Sequence, residues 1–302
     1  MQLVNPAKRN FHRNTLTNIS GLSFDEQLKK AGLDWKVELS RLQYGRNGEF
    51  IEPGKVSVAY RADNGHFIDV YRNRRPWQNE EILGRFWEFC TGADLEIEHL
   101  GYLRGQVVAM AKLPDSDMTD PTENRIVLHD SHSNGKGLRI ALFRNRIVCT
   151  NAWRSAIEGS TRTVKHVGEF KPDVISATLQ SAINTIDTID QREKRLATTP
   201  LTDDRAMTML IAAFGDPSKG IQEQPPVVQD VMNLYKGDAT GSELGTMFNT
   251  AYGLLQSVTE YYNWQTKGCS NAAGFASVLA GTRNQKMNQF TNQMVSVYCP
   301  NL

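Results

Sequence analysis

The stretch KVSVAYRADNGHFIDVYR, residues 55–72, decides the fold class. In Lys55–Arg61 the apolar residues Val56, Val58 and Tyr60 alternate with small or polar ones, which gives an extended strand one apolar face. His66–Arg72 follows after Asp63-Asn64-Gly65, and Asn-Gly supplies the positive φ angles that a tight turn requires. The stretch therefore reads as a β-hairpin. Arg72, Arg74, Arg75 and Trp77 leave its second strand together.

Downstream, Asn79 is placed to cap a helix, with Glu80 and Glu81 in the first turn, where carboxylates favour the helix dipole. Ile82, Leu83, Phe86, Phe89 and Cys90 recur at helical spacing, and Gly92 closes the run. Strands are then expected at Leu95–Tyr102, Gln106–Leu113, Arg125–Ser131 and Gly137–Arg144, the middle pair separated by the acidic loop Pro114–Asn124. Asn134-Gly135 signals another tight turn. Beyond them Arg146–Glu158 reads as a helix, Arg162–Val167 as extended, and Pro172–Arg195 as one long helix striped by Ile175, Leu179, Ala182, Ile183, Ile186 and Ile189. The remainder reads as helices at Asp203–Phe214, Pro226–Tyr235, Glu243–Trp264, Ala272–Leu279 and Arg283–Val297. Upstream of the hairpin only Ser23–Ala31 has a helical signature, ended by Gly32.

Hairpin, helix, about four antiparallel strands and a helix, followed by a mostly helical C-terminal region, make an α+β protein rather than a doubly wound one. The expected division is an N-terminal arm or oligomer contact at 1–54, an α+β core at 55–195 and a helical region at 196–302.

With 40% hydrophobic and 22% charged residues in 302, the chain is too apolar for wholesale disorder. No apolar run approaches the ~20 residues of a membrane helix. The N-terminus MQLVNPAKRNFHRNTL has basic residues without an apolar stretch behind them, so no secretory signal is expected. Cys90, Cys149, Cys269 and Cys299 never form CxxC, and free thiols in a reducing cytoplasm are expected. The net charge of +1 hides a split. Residues 125–171 hold nine Lys/Arg against three Asp/Glu, whereas residues 76–123 hold three against ten. Adjacent blocks of opposite sign suit a charged groove or a self-complementary oligomer contact.

VAYRADNGHFIDVYRNRRPWQNEE (58–81), GLRIALFRNRIVCTNAW (137–153) and TAYGLLQSVTEYYNW (250–264) resemble the phage/plasmid-like proteins classed as domain of unknown function nine-three-two. The family's Gln-Asn pair falls at Gln78-Asn79, and its Arg-x-Val-Cys-x-Asn segment at Arg146, Val148, Cys149 and Asn151. The resemblance covers about residues 55–195 well and the tail loosely. It departs at Trp77, where a smaller residue is expected, and at Asn263-Trp264, in place of an Asp-His pair. The element order is similar to the core of phage single-strand annealing proteins, which implies a binding protein.

No phosphate-binding glycine loop, dinucleotide fingerprint, nucleophile elbow or zinc-protease helix occurs in the sequence. No catalytic residue, cofactor or metal is therefore assigned. His129-Asp130-Ser131-His132 looks like a ligand cluster, but on a strand His129 and His132 face opposite sides, and the pair Asp130–His132 reads as structural. Cys149 near basic residues is read as a small buried hydrophobe, against a reactive thiol.

The candidate nucleic-acid-binding set is Arg61, Arg72, Arg74, Arg75, Trp77, Arg139, Phe143, Arg144, Arg146 and Lys165, with Phe143 or Trp77 stacking on bases and arginines on phosphates. Against it stands a merely solvated strand face. Arg144 falls in parity with Leu138, Ile140 and Leu142, so it either bridges to a buried carboxylate or starts the next helix. The expected function is binding and annealing of single-stranded DNA by a homo-oligomeric ring or filament without ATP, in the cytoplasm of a bacterial host. The alternative is a phage structural or host-interaction protein that binds another protein through Leu254, Leu255, Val258, Tyr261, Tyr262 and Trp264.

Overall fold

The computed structural model describes residues 16–72, 75–103, 105–114, 122–133, 137–146, 152–155, 172–267, 269 and 272–302; the side chains at 145, 146, 152–155, 272, 275, 279 and 280 are outside the description. Expectations for most of the acidic loop, for Asn134-Gly135, for Cys149 and for Arg162–Val167 lie outside these residues.

The chain begins with β1 (Thr17–Asn18) and α1 (Phe24–Lys30), whose cap is a box in which Ser23 N donates to Glu26 Oε2 over 2.9 Å. β2 (Val37–Arg41), the short hairpin β3–β4 (Tyr44–Arg46, Glu49–Ile51) and the hairpin β5–β6 (Val56–Arg61, Phe67–Arg72) follow. β2, β5 and β6 form one antiparallel sheet, with β5 in the middle. The β5–β6 connection is looser than a two-residue turn. Gly65 alone takes a positive φ, +70°, its N–H bonding Arg61 O at 2.8 Å, while Arg61 N bonds His66 O. Asn64 stays at negative φ, its carboxamide oxygen accepting from His66 N.

The second helix, α2 (Asn79–Gly92), leads into β7 (Ile97–Leu103), β8 (Gln106–Lys112), β9 (Thr122–Asp130), β10 (Arg139–Arg146) and β11 (Ala152–Ser155). With β1 these make a six-stranded antiparallel sheet in the order β1-β7-β8-β9-β10-β11. β11 takes Ala152–Ser155, within the helix expected at Arg146–Glu158. Leu142 pairs with Ser155 and Asn145 with Ala152, so the open edge of β10 overrides the local helical spacing.

The large sheet is covered on both faces. Val107, Ala109, Ala111, Ile126, Leu128, Ile140 and Leu142 pack toward α2, α3 (Pro172–Asn184) and the N-terminal elements. Val108, Met110, Val127 and Phe143 pack toward the C-terminal helices α4 (Ile186–Ala197), α5 (Asp203–Phe214), α6 (Pro226–Asn233), α7 (Ala251–Glu260), α8 (Ala272–Ala280) and α9 (Thr282–Tyr298). Alternate residues thus serve alternate cores, and that is why these strands are apolar almost throughout.

Residues 16–41 are part of this packing rather than an arm: Ile19, Leu33, Trp35 and Val37 are buried in the first of these cores. The long helix expected at Pro172–Arg195 is two. Thr185 interrupts it, with its hydroxyl bonded back to Ser181 O at 2.6 Å, a contact that bends helices. The helix expected from Glu243 starts only at Ala251. Thr250 caps it by accepting from Gly253 N, and a Cβ at Gly253 would lie 1.9 Å from Met247 O, so the preceding turns require glycine there. Among the described residues no helix is long and apolar enough to cross a membrane.

Candidate nucleic-acid interface

Three expected contact residues are buried. Trp77 is 2% exposed, in the core beneath the three-stranded sheet, and Phe143 is 0% exposed against the C-terminal helices. Neither can stack on a base without opening a core. The reason is the second layer of helices, which covers the face of β10 that was expected to meet solvent. Arg144 is buried too; its Nη2 lies 2.7 Å from Asp190 Oδ1 and 3.1 Å from Glu193 Oε2, the carboxylate bridge foreseen as one of its two readings. Burial works against its charge, but the carboxylates Glu193 and Asp190 outweigh that and raise its pKa.

The opposite-sign blocks meet inside the chain as well. Arg125, 0% exposed, donates to Glu98 over 2.7 Å and Glu123 over 2.8 Å, so a basic-block arginine is neutralised by two carboxylates of the acidic block. His129, Asp130, Ser131 and His132 are all buried. His132 Nε2 lies 2.8 Å from Asn79 Oδ1, its carbonyl accepts from the Tyr71 hydroxyl, and its ring meets Trp35 edge-on at 5.5 Å. Since Asn79 Nδ2 donates to Leu33 O, the Oδ1 must accept, and His132 carries its proton on Nε2. His132 Nδ1 stands 3.9 Å from Asp130 Oδ2. No group of three or more metal-ligating side chains occurs among the described residues.

Of the remaining expected residues, Arg61 is engaged. It forks onto Asp63 (Nε–Oδ1 3.0 Å, Nη2–Oδ2 2.6 Å) while its guanidinium lies 4.5 Å over the Trp35 ring. Arg72 and Arg75 are exposed, Arg75 reaching Glu81 at 3.3 Å, and Arg139 is half-buried. Arg74, Lys165 and the side chain of Arg146 lie outside the described residues.

The three-stranded sheet has one covered and one open face. Val37, Ala59 and Tyr71 point into the core. The other face carries Val56, Val58 and Tyr60 of β5 with Val70 and Arg72 of β6, none of them buried. A bulge at Ala59/Tyr60 turns Ile68 inward against the core and brings Phe67 opposite Tyr60 on the open face, where it is 56% exposed. Tyr60 donates its hydroxyl to Glu38 at 2.9 Å, which raises its pKa. The adjoining hairpin β3–β4 adds Tyr44 at 46% exposure and Phe50 at 80%, with the exposed Arg46, and at the end of β2 the exposed Arg41 reaches Glu52 at 3.4 Å. Sequence reading paired arginines with Trp77 and Phe143 and passed over Phe67, Phe50 and Tyr44. The alternation placing Tyr60 with Val56 and Val58 was the available signal.

These observations define an α+β protein with a two-faced antiparallel sheet, no recognised catalytic constellation among its described residues, and an open sheet face that carries exposed rings with Arg72 and Glu38. The chain belongs to the family described as Domain of unknown function (DUF932), whose match spans residues 70–296 and takes in both the Gln78-Asn79 pair and the C-terminal helices. No curated protein and no solved structure matches the chain.

Proposed function

We propose that this protein binds single-stranded DNA on the open face of β2-β5-β6 and its adjoining hairpin, and acts as a homo-oligomeric annealing protein of a phage or plasmid in a bacterial cytoplasm. The supporting observation is the company of exposed rings and arginines: Phe67, Phe50 and Tyr44 beside Arg41, Arg46, Arg72 and Arg75. A flat ring stacks on any base and an arginine meets any phosphate, which is what sequence-tolerant single-strand binding needs. Annealing draws its free energy from base pairing, in keeping with a sequence that has no phosphate-binding loop.

Fluorescence anisotropy with a labelled oligonucleotide tests this. Expected is binding that weakens steeply with salt. Phe67→Ala and Phe50→Ala should each weaken it by about 1–3 kcal/mol per lost stacking contact. Absence of binding at low salt would refute the proposal. Of the tail residues that a rival protein-binding surface would use, Leu254, Leu255, Val258, Tyr262 and Trp264 are buried and Tyr261 is partly exposed, which favours the sheet face.

A further inference from the structure

The outer edge of β2 carries an unused pairing potential. Among the described residues β2 is an edge strand, with β5 as its one strand neighbour. Lys36 O accepts from Ala62 N and Leu42 N donates to Val56 O, so the even-numbered residues of β2 pair with β5. Val37, Leu39 and Arg41 consequently turn their N–H and C=O groups outward. At Val37 both groups are taken by one side chain: Val37 N donates to Gln78 Oε1 at 2.9 Å, and Gln78 Nε2 donates to Val37 O at 3.1 Å. A carboxamide here stands in for the peptide group of a missing strand. The next outward groups, on Leu39, have no hydrogen-bond partner among the described residues, and the Leu39 side chain is 39% exposed.

Beside this edge runs a groove of about 720 Å³ between β2 and α2. Glu38, Glu80, Glu81 and Glu88 line it against Lys36 and Arg85. Arg85 is already held by Glu88 at 2.8 Å and Asp173 at 3.7 Å, and Glu80 is exposed. The acidic excess disfavours nucleic acid here and favours a cation-bearing partner.

We infer that the β2 edge and its groove form a docking site for an extended basic peptide segment of a partner protein, which pairs with Leu39 as an added strand and sets its lysines or arginines against the glutamates. This site adjoins the open face proposed for DNA, since Glu38 accepts from Tyr60 and Glu81 pairs with Arg75, but its test reads peptide rather than DNA.

The test uses the full chain and a fluorescent peptide alternating lysine with valine. Anisotropy should show saturable binding that salt weakens. A glutamate–valine control should not bind, nor should the lysine peptide with alternate amides N-methylated, which keeps charge but cannot form a ladder. Leu39→Pro removes an outward N–H at an edge position where proline is tolerated, and should weaken binding roughly tenfold while the circular dichroism spectrum is kept. Glu80→Lys, at an exposed position, should weaken it as well. Equal binding of the N-methylated peptide, or an unchanged affinity in a folded Leu39→Pro variant, would overturn the inference. So would saturable binding of the acidic control, an absence of binding at low salt, or self-association of the chain through this edge.

Discussion

Replacing Arg144 by methionine would leave Asp190 and Glu193 facing a core with no cation between them. The guanidinium reaches both carboxylates within 3.1 Å, and all three groups are buried. Breaking such a cluster by removing one partner costs about 3–5 kcal/mol, whereas replacing all its charges together is often neutral. Arg144→Met should therefore lower the urea midpoint sharply, and adding Asp190→Asn with Glu193→Gln should restore most of it. Trp77 poses the complementary case. If its role is packing, Trp77→Ala should cost about 3–5 kcal/mol in denaturant unfolding. Once the variant is folded at low temperature, its DNA affinity should stay near that of the parent. Asp63 gives a pH signature. Its bond to Arg61 holds its carboxyl below the ordinary carboxylate range. A depressed folded-state pKa stabilises the fold at neutral pH, and that contribution fades as pH falls through the folded value. An NMR titration should find the Asp63 carboxyl midpoint below that of an unfolded aspartate, with the amides of Asn64 and Gly65 moving in step. Asp63→Asn should abolish that step.

At the scale of elements, the Gln78-Asn79 pair explains why α2 starts where it does. Gln78 occupies the cap position, and its N–H bonds Glu81 Oε2 at 2.7 Å, while its carboxamide holds Val37. Asn79, expected as the cap, is instead the first helical residue, because its side chain is spent on Leu33 O and His132. Two adjacent amides thus fasten residues 33–37 to the helix and to the end of β9. Gln78→Ala should cost about 1–2 kcal/mol, the worth of a cap. Amide exchange should accelerate at Val37 before it does in the large sheet. Asn79→Ala should cost about 1–3 kcal/mol, since it strands buried polar atoms. The sequence announces α2 and the hairpin clearly, because an amphipathic period survives wherever one face meets water. It announces VVAMA, IVL and IALF as strands too, but hides their surroundings. A run apolar on both parities implies cover on both faces, and that signal, applied to β10, would have moved Phe143 into the core. The exposure of Phe67 and Phe50 is not legible in the same way: an aromatic ring in an alternating strand looks alike whether or not a second layer arrives. Arg144 is ambiguous for the same reason, since its carboxylate partners come from another element, α4.

For the whole molecule, the two-faced sheet sets the unit that folds. On their side of the sheet Val108, Met110, Val127 and Phe143 meet only Leu16 and Leu103 from the rest of the described α+β half; the larger part of their core is Leu210, Val231, Tyr252, Leu255, Phe290 and others of the helical half. The boundary expected near residue 195 therefore cuts through a core, even though the composition changes there from strand-rich to helical. The family match, running on to residue 296, agrees with a unit that includes the helices. A chain ending after Ala197 would expose one whole face of β8, β9 and β10. Each large aliphatic or aromatic side chain uncovered forfeits about 1.5–3 kcal/mol of burial, and a few of them exceed the 5–15 kcal/mol that a typical domain has in all. The fragment should be insoluble or bind a hydrophobic dye, and the full chain should unfold in one cooperative transition when followed by both far-ultraviolet circular dichroism and tryptophan fluorescence. A soluble, monomeric fragment with native-like thermal unfolding would instead mean that the helical half packs on a sheet already stable without it, and the open face of β2-β5-β6 could then be studied in the fragment alone.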